Sequence, residues 1–305
     1  MVQETRQLAP QSSPQTALVL GGGGMKGVAH VGVWKALADA GVIPDVIVGT
    51  SIGALIGTCL AGGMGWRDLA ELARGLRKDD IVKINRRAIF FGGVRESAVF
   101  MGDHFRAYIA ANLPVQRWED LQIPLRLNTV SLVTGEPVWF GSDARQDVSL
   151  VDAVYASCAL PIYFPPLDTQ GDYLVDGGII DVLPIRAAAE HGATCVIGVD
   201  VGSEVMPPGE DYFGRGMVAI HDRVLNLNLR DQRARSLEGW EEDGPPLLYI
   251  RPRVGHLGGW DFERTQFFLE EGYRAAQQAL AEDAAADGAP SVLCPPRDDT
   301  GAAAD

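Results

Sequence analysis

The chain has 305 residues, 47% of them apolar. This excludes a largely disordered protein, because a folded chain of this length buries about 75% of its extended surface. The 40 Asp and Glu against 26 Lys and Arg give a formal net charge of -14, which disfavours nucleic acid as a partner because its phosphates would be repelled. Any contact with a membrane must then be apolar or depend on a local basic patch.

The cysteines are too few and too scattered for a disulfide framework or a structural zinc site. They are Cys59, Cys158, Cys195 and Cys294. The amino-terminal segment lacks the apolar core of a signal peptide, and no run reaches the roughly 18 apolar residues of a membrane-spanning helix. We therefore expect a cytoplasmic location.

A single α/β domain is predicted at 16–283, where short β-branched runs alternate with helical patterns. Residues 1–15 and 284–305 are polar or rich in small residues and proline, and we expect flexible tails there. The later predicted strands are 125–133, 137–140, 173–175, 195–199 and 247–250, and the later predicted helices are 183–191, 217–236 and 261–282.

The first βαβ unit consists of strand Ala17–Leu20, a helix from about 27 to 40, and strand Val46–Val48. A right-handed crossover places both strands in one parallel sheet. The helix that follows Ser51 is apolar on nearly every side, which indicates that it is buried.

A glycine run, GGGGMKG at 21–27, joins the first strand to its helix. Glycines let the backbone turn sharply and leave its N–H groups uncovered at the positive end of a helix dipole, so we expect an anion or oxyanion there. Gly22, Gly24 and Gly27 also satisfy the GxGxxG dinucleotide fingerprint. A nucleotide site is disfavoured, because the next strand ends in Gly49 and not in the acid that would hold a ribose.

The second strand runs into a GxSxG pattern, GTSIG at 49–53. A strand, a sharp turn and a buried helix are the context in which this pattern forms a nucleophile elbow, with the Ser51 hydroxyl held out at the carboxyl end of the sheet. Gly49 and Gly53 leave room for the turn. The structural alternative is that Ser51 only caps the helix that it opens. The context favours the nucleophile.

An Asp-Gly-Gly sequence at 176–178 directly follows the predicted strand 173–175. A carboxylate at the carboxyl end of a strand can face the crevice where open α/β sheets place their chemistry. A seryl hydroxyl needs a base, and Asp176 can serve if burial raises the pKa of its carboxyl group. Taken alone, an aspartate that bonds its own turn is the commoner role of such a residue.

Together and in this order, the three motifs resemble the patatin-like phospholipases, in the bacterial branch related to neuropathy target esterase. The similarity extends over about 17 to 280, in the blocks LVLGGGGMKGVAHVGVWKALADAG, IVGTSIGALIG, YASCALPIYFPP, YLVDGGIIDVLP and WDFERTQFFLEEGYRAA. The resemblance implies a three-layer α/β fold with a mostly parallel central sheet and helices on both faces. It implies a serine acyl-ester hydrolase of the phospholipase A or lysophospholipase type, acting on phospholipids, lysophospholipids or other acyl esters, with no metal or organic cofactor.

The resemblance also implies residue roles, with Ser51 as the nucleophile and Asp176 as the base of a dyad. The implied oxyanion hole consists of three backbone N–H groups, those of Gly22, Gly23 and Gly24. The supporting motif residues are Lys26, Gly27, Gly49, Gly53, Gly177 and Gly178. The chain departs from the family pattern at Val182, where an asparagine that would support the loop is usual.

Two alternatives of other classes stay open. One is a Ser-His-Asp hydrolase of the ordinary α/β type, for which His256 is the best of five histidines because it follows the predicted strand 247–250 at the correct edge of the sheet. The other is a non-catalytic lipid-binding module on the same fold. The joint presence of a nucleophile, a base and a glycine loop argues against that module.

One segment, 76–99 within a possible lid or insertion at 76–110, interrupts the strand–helix alternation. It mixes cations with large apolar side chains, including Arg77, Lys78, Lys83, Arg86, Arg87, Arg95, Ile84, Ile89, Phe90 and Phe91. In an acidic chain this composition suggests a lid or a peripheral membrane-docking element. An irregular connection whose aromatic residues fill a satellite cluster is the alternative.

Overall fold

The computed structural model describes residues 15–86, 96–204, 214 and 216–285. Its strands are β1 (Thr16–Leu20), β2 (Val46–Gly49), β3 (Leu125–Ser131), β4 (Pro137–Gly141), β5 (Leu167–Asp168), β6 (Tyr173–Asp176), β7 (Cys195–Val199) and β8 (Leu247–Ile250). Its α-helices are α1 (Ala29–Asp39), α2 (Ile52–Ala61), α3 (Trp66–Gly75), α4 (Lys78–Ile81), α5 (Gly102–Asn112), α6 (Leu150–Ser157), α7 (Ile185–Glu190), α8 (Met217–Leu237), α9 (Trp240–Asp243) and α10 (Thr265–Ala285).

The strands form one eight-stranded sheet in the order β5-β6-β3-β2-β1-β7-β8, with β4 paired to β3. Strands β3, β2, β1, β7 and β8 are mutually parallel. Strands β4 and β6 run antiparallel to β3. The predicted mostly parallel sheet is confirmed.

The two faces of the sheet pack into different cores, as alternate residues of β1 show. Leu18 and Leu20 belong to the larger cluster, with buried residues of α1, α2 and α10. Ala17 and Val19 belong to a smaller cluster with residues of α7 and with Trp240 of α9. Because both faces are covered, β1 and β2 are continuous apolar runs and do not alternate apolar with polar residues.

The strand predictions agree closely with the structure, while helix starts differ. The first helix opens with a 3-10 turn at Gly24–Val28, and the last is preceded by another at Phe262–Arg264. Helix α10 extends through 284–285, two residues into the predicted tail. The rest of that tail, and 1–14 of the other, lie outside the described residues. Across the described ranges, none of the helices is both long and apolar enough to cross a bilayer.

The predicted lid is described only in part, since its tip at 87–95 lies outside the described residues. The two ends of the segment pair with each other, because the Asn85 N–H donates to the Val99 carbonyl and the Met101 N–H to the Lys83 carbonyl, both at 2.8 Å. After this pairing, α5 contributes buried residues to the main core. The lid and docking interpretations of this segment stay predictions.

Helices α1 and α10 cross at a glycine in each. A Cβ at Gly32 would lie 2.0 Å from the Leu269 carbonyl oxygen, and a Cβ at Gly272 would lie 2.0 Å from the Ala29 carbonyl oxygen. Both distances are far below contact, so the helices can approach this closely only without side chains at these two positions. The contact holds α1, and with it the glycine run that precedes α1, against the sheet.

We expect Gly272→Ala to destabilise the protein by about 1 to 3 kcal/mol, because a methyl group at the crossing forces the helices apart. Urea denaturation should show this as a lower midpoint. Gly75→Ala in α3 is the matched control, since no atom lies within 4 Å of the added Cβ. An equal loss of stability in both variants would contradict the role assigned to the crossing.

Candidate active site

Ser51 occupies a sharp turn between β2 and α2. Its backbone angles are φ 56 and ψ -125, a strained region for a residue with a side chain. The turn is tight because its neighbours lack side chains: a Cβ at Gly53 would lie 2.0 Å from the Leu20 carbonyl oxygen, and one at Gly49 would lie 2.6 Å from the Ala54 Cα. Ser51 stands at the N-cap position of α2, but its side chain makes no capping hydrogen bond. Its hydroxyl is therefore not used as a helix cap.

Residues at and just after the carboxyl end of α6 accept hydrogen bonds from the backbone of both candidate catalytic residues. Ser157, fully buried, accepts a hydrogen bond from the Ser51 N–H at 3.0 Å. Two residues later, the Ala159 carbonyl accepts the Asp176 N–H at 3.1 Å. One short segment thus sets the backbone positions of residues that lie 125 positions apart in the sequence.

Asp176 reaches the site by a different route from the one expected. Its strand β6 is antiparallel to β3, so Asp176 is not at the carboxyl end of a parallel strand. Asp176 pairs with Thr129, two residues beyond Leu127, which pairs with Gly49 at the end of β2. Because β6 runs in the opposite direction to β2 and β3, its last residue lies just past the end of β2, where the chain turns into Ser51.

The Asp176 side chain is almost fully buried, with 3% exposure. Burial raises the pKa of this carboxyl group to about 7, while hydrogen bonds from the Ser51 side chain and the Gly178 N–H act in the opposite direction. The Gly178 N–H lies 2.8 Å from Oδ1. A buried carboxylate beside a seryl hydroxyl can take up the seryl proton when its pKa is near neutrality.

The glycine loop lies beside Ser51, since a Cβ at Gly22 would be 3.3 Å from the Ser51 Cβ. The Gly22 N–H is already bonded to the Val182 carbonyl at 2.9 Å. In the described part of the chain, the N–H groups of Gly23 and Gly24 have no protein acceptor. Of the three N–H groups expected to form an oxyanion hole, that of Gly22 anchors the loop, which leaves those of Gly23 and Gly24 as candidates.

Close contacts require glycine at positions 23 and 24. A Cβ at Gly23 would lie 2.8 Å from the Val201 carbonyl oxygen. Gly24 has a φ of +61, and its Cβ would lie 2.4 Å from the Gly259 carbonyl oxygen. That same carbonyl accepts the Met25 N–H at 2.8 Å. The loop is thus packed against Val201, which follows β7, on one side and against Gly259 on the other.

Two buried basic side chains support the loop without reaching solvent. His30 is bonded through Nε2 to the Gly21 carbonyl at 2.9 Å, and burial lowers its pKa to about 4, so the ring is neutral and donates. Lys26 is 1% exposed and donates to the Ser203 hydroxyl at 2.5 Å. Burial, with a smaller contribution from nearby Arg233, lowers the pKa of Lys26 to about 8. Both residues hold the loop in place and are covered by protein.

The turn after Asp176 is supported from β3. The Asn128 side chain donates to the Asp181 carbonyl at 2.8 Å, and a Cβ at Gly177 would lie 2.3 Å from the Asn128 Oδ1. Val182, which departs from the family pattern, contributes its carbonyl to Gly22. The turn is thus held by the Asn128 side chain and by the backbone of Val182.

His256 is exposed, and its ring packs edge-on against Phe267 of α10, with 6.4 Å between ring centroids. Over the described ranges, no hydrogen bond joins it to Ser51 or Asp176. The same ranges contain no cluster of three His, Cys, Asp or Glu side chains that could hold a metal ion.

A family model described as patatin-like phospholipase matches residues 18–189, more than half of the chain. The chain belongs to the patatin-like phospholipase family. It is 34% identical over 277 residues to patatin-like phospholipase domain-containing protein 7 of Rattus norvegicus, covering 85% of this chain and 20% of that protein. It is 28% identical over 292 residues to lysophospholipase nte1 of Emericella nidulans, covering 86% of this chain and 18% of that protein.

The patatin-like chain thus spans about a fifth of the length of the curated relatives that it matches. Among solved structures, that of VipD from Legionella pneumophila is similar, with a TM-score of 0.53. The aligned region covers 89% of this chain and 67% of the VipD chain. Its sequence identity is 16%, so this likeness concerns the patatin-like fold alone.

Sequence reasoning missed Ser157 and Asn128, the two polar side chains that position the elbow and the turn. Ser157 lies in the block YASCALPIYFPP, which carried part of the family resemblance, so a signal for it was present. Asn128 lies inside a predicted strand and had no such signal.

Proposed function

We propose that this domain is a lipid acyl hydrolase with Ser51 as its nucleophile and Asp176 as its base. The observation that carries the proposal is the position of the buried Asp176 carboxyl group, whose pKa burial raises to about 7, just past the end of β2 where the chain turns into Ser51. A general base works best when its pKa is close to the working pH, because it is then ionised and still basic enough to accept a proton.

The proposed reaction has two stages. Asp176 takes the proton of the Ser51 hydroxyl while Oγ attacks the ester carbonyl carbon, and the same proton then passes to the departing alkoxide. In the second stage Asp176 accepts a proton from water, whose oxygen attacks the carbonyl carbon of the acyl-enzyme. The bond between that carbon and Oγ then breaks, Asp176 returns the proton to Oγ, and the fatty acid leaves. Apart from the substrate and water, every group in this scheme comes from the chain itself, so the proposal requires no metal or organic cofactor.

The N–H groups of Gly23 and Gly24 are the proposed oxyanion donors. Negative charge develops on the carbonyl oxygen during each attack, and preorganised N–H groups stabilise it. Loss of one such donor typically costs about 3 to 4 kcal/mol of barrier. The N-terminus of α2, which begins directly after Ser51, adds the positive end of its dipole at the same place.

The proposed substrates are phospholipids, lysophospholipids or related acyl esters at a lipid surface. The name of the Emericella nidulans relative, lysophospholipase nte1, favours a lysophospholipid. Fatty-acid release should be measured from lysophosphatidylcholine, diacyl phosphatidylcholine and a short soluble ester, together with labelling by a fluorophosphonate probe mapped to Ser51. Folded protein that is neither labelled nor active would favour the non-catalytic lipid-binding module.

We expect His256→Ala to keep turnover within about twofold of the wild type, because an exposed ring without a bond to the dyad contributes nothing to transition-state stabilisation. Steady-state hydrolysis of the soluble ester is the measurement. Loss of turnover in this variant, with activity retained in Asp176→Asn, would replace the dyad by a Ser-His-Asp arrangement.

A further inference from the structure

The first four turns of α8 present an apolar face to solvent. Four exposed large side chains share one side of the helix, at positions i, i+3, i+7 and i+10, and are between 37% and 72% exposed; they are Met217, Ile220, Val224 and Leu227. We call these four residues the α8 face. A surface helix normally turns its polar side outward. Isolated exposed apolar residues need no explanation, but four on one face of one helix do.

The opposite side of α8 is firmly attached, so the exposure does not come from a loosely placed helix. The Tyr163 hydroxyl lies 2.7 and 2.6 Å from the two carboxylate oxygens of Asp222. The Gln232 amide donates to the Ile179 carbonyl at 2.7 Å, and its oxygen accepts the Val182 N–H at 3.2 Å.

These anchors belong to the rim of the candidate active site. Ile179 and Val182 lie in the turn that follows Asp176. Tyr163 lies shortly after Ser157 and Ala159, which accept hydrogen bonds from the N–H groups of Ser51 and Asp176. The Trp260 ring packs on Tyr163 with 5.0 Å between centroids, and its neighbour Gly259 covers the glycine loop. Exposed apolar side chains continue along this rim at Ile162, Ile180 and Trp260.

The charges on this part of α8 are nearly balanced, in contrast to the net charge of -14 for the chain. Between 217 and 230 the helix carries Asp222 against Arg223 and Arg230. A face of this kind is not repelled by lipid headgroups, and its apolar side chains can enter the boundary between headgroups and acyl chains. Long arginine side chains can keep their charge at the headgroup level.

We propose that the α8 face docks on a phospholipid surface and holds the rim of the active site against the lipid. The proposal rests on the proposed function for its choice of occupant, because a hydrolase of lipid esters must work where those esters are, at the surface of a bilayer or micelle. The attachment is apolar, so it is expected to persist at high salt.

Flotation with phosphatidylcholine vesicles tests this proposal. The wild type should float with the vesicles at low and at high salt, and the double variant Met217→Asp/Val224→Asp should partition at least about tenfold less. Ile43→Asp is the matched control: Ile43 is 76% exposed and precedes β2, at the opposite edge of the sheet from Ser51. It should float as the wild type does, and all three proteins should hydrolyse a short soluble ester equally.

A wild type that stays with the unbound protein, or a double variant that floats equally well, would overturn the proposal. So would a wild-type dimer that the double variant converts to a monomer without any change in flotation, since the face would then bind a second copy of the chain. Flotation does not depend on turnover, so Ser51→Ala should float normally. Failure of hydrolysis with normal flotation would reject the proposed function and leave the docking surface standing.

Discussion

Ser51→Ala is expected to abolish acyl-ester hydrolysis, with a loss in turnover of at least about 10,000-fold. The substitution removes the hydroxyl oxygen that is proposed to form the acyl-enzyme, while the glycine loop and Asp176 remain. Fatty-acid release and fluorophosphonate labelling should both disappear. Substantial hydrolysis by the alanine variant would show that Ser51 is not the nucleophile.

Ser51→Gly serves as the control for backbone strain. Alanine keeps the Cβ, so it keeps the strain of a φ of 56 at this turn, whereas glycine adopts that conformation freely. We expect both variants to be inactive and the glycine variant to unfold at a higher temperature than the alanine variant. Loss of activity then cannot be attributed to a collapsed elbow.

Asp176→Asn is expected to lower turnover by about 1,000-fold or more, because an amide cannot accept the seryl proton. In the wild type, activity should rise with pH and level off above about 7, since the base must be ionised and burial raises its pKa to about 7. A rate profile that is flat from about pH 5.5 to 8.5, with chemistry as the slow step, would contradict this assignment.

The same carboxyl group should make the folded protein less stable as the pH rises. The ordinary pKa of an aspartate is 3.8, and burial raises that of Asp176 to about 7 in the folded protein, so between these pH values the folded state binds more protons than the unfolded state. The contribution of this group to the free energy of unfolding is therefore fully present below about pH 4 and is lost as the pH rises through 7. Asp176→Asn removes the buried charge, so its gain in melting temperature over the wild type should be larger at about pH 8 than at about pH 5.

Asp103→Asn is the control for this stability effect, since the Asp103 side chain is 92% exposed. It should show no such difference between the two pH values. A melting temperature of Asp176→Asn that tracks the wild type at every pH would mean that the carboxyl group is not held in an unfavourable charged state. The expected combination, less activity with more stability, is typical of a buried group retained for its chemistry.

Local patterns predicted much of the fold. The apolar runs of β1, β2 and β7 are buried on both faces, so their sequences show strands directly. The elbow was also predictable, because its geometry depends on two glycines within two residues of Ser51. The direction of β6 was not predictable, because the sequence of a four-residue strand does not indicate whether its partner is parallel or antiparallel.

By itself, the sequence determined which residues are the candidates: a serine in a turn that only glycines allow, an aspartate before two glycines, and a loop rich in glycine. Only the tertiary structure decided how they are used. It places Asp176 level with Ser51 through a strand that runs antiparallel to β3. In the part of the chain that it describes, it bonds the Gly22 N–H to Val182 and gives those of Gly23 and Gly24 no protein acceptor. The physical reason is that these choices depend on hydrogen bonds between segments up to about 160 residues apart, for which no local pattern of side chains is required.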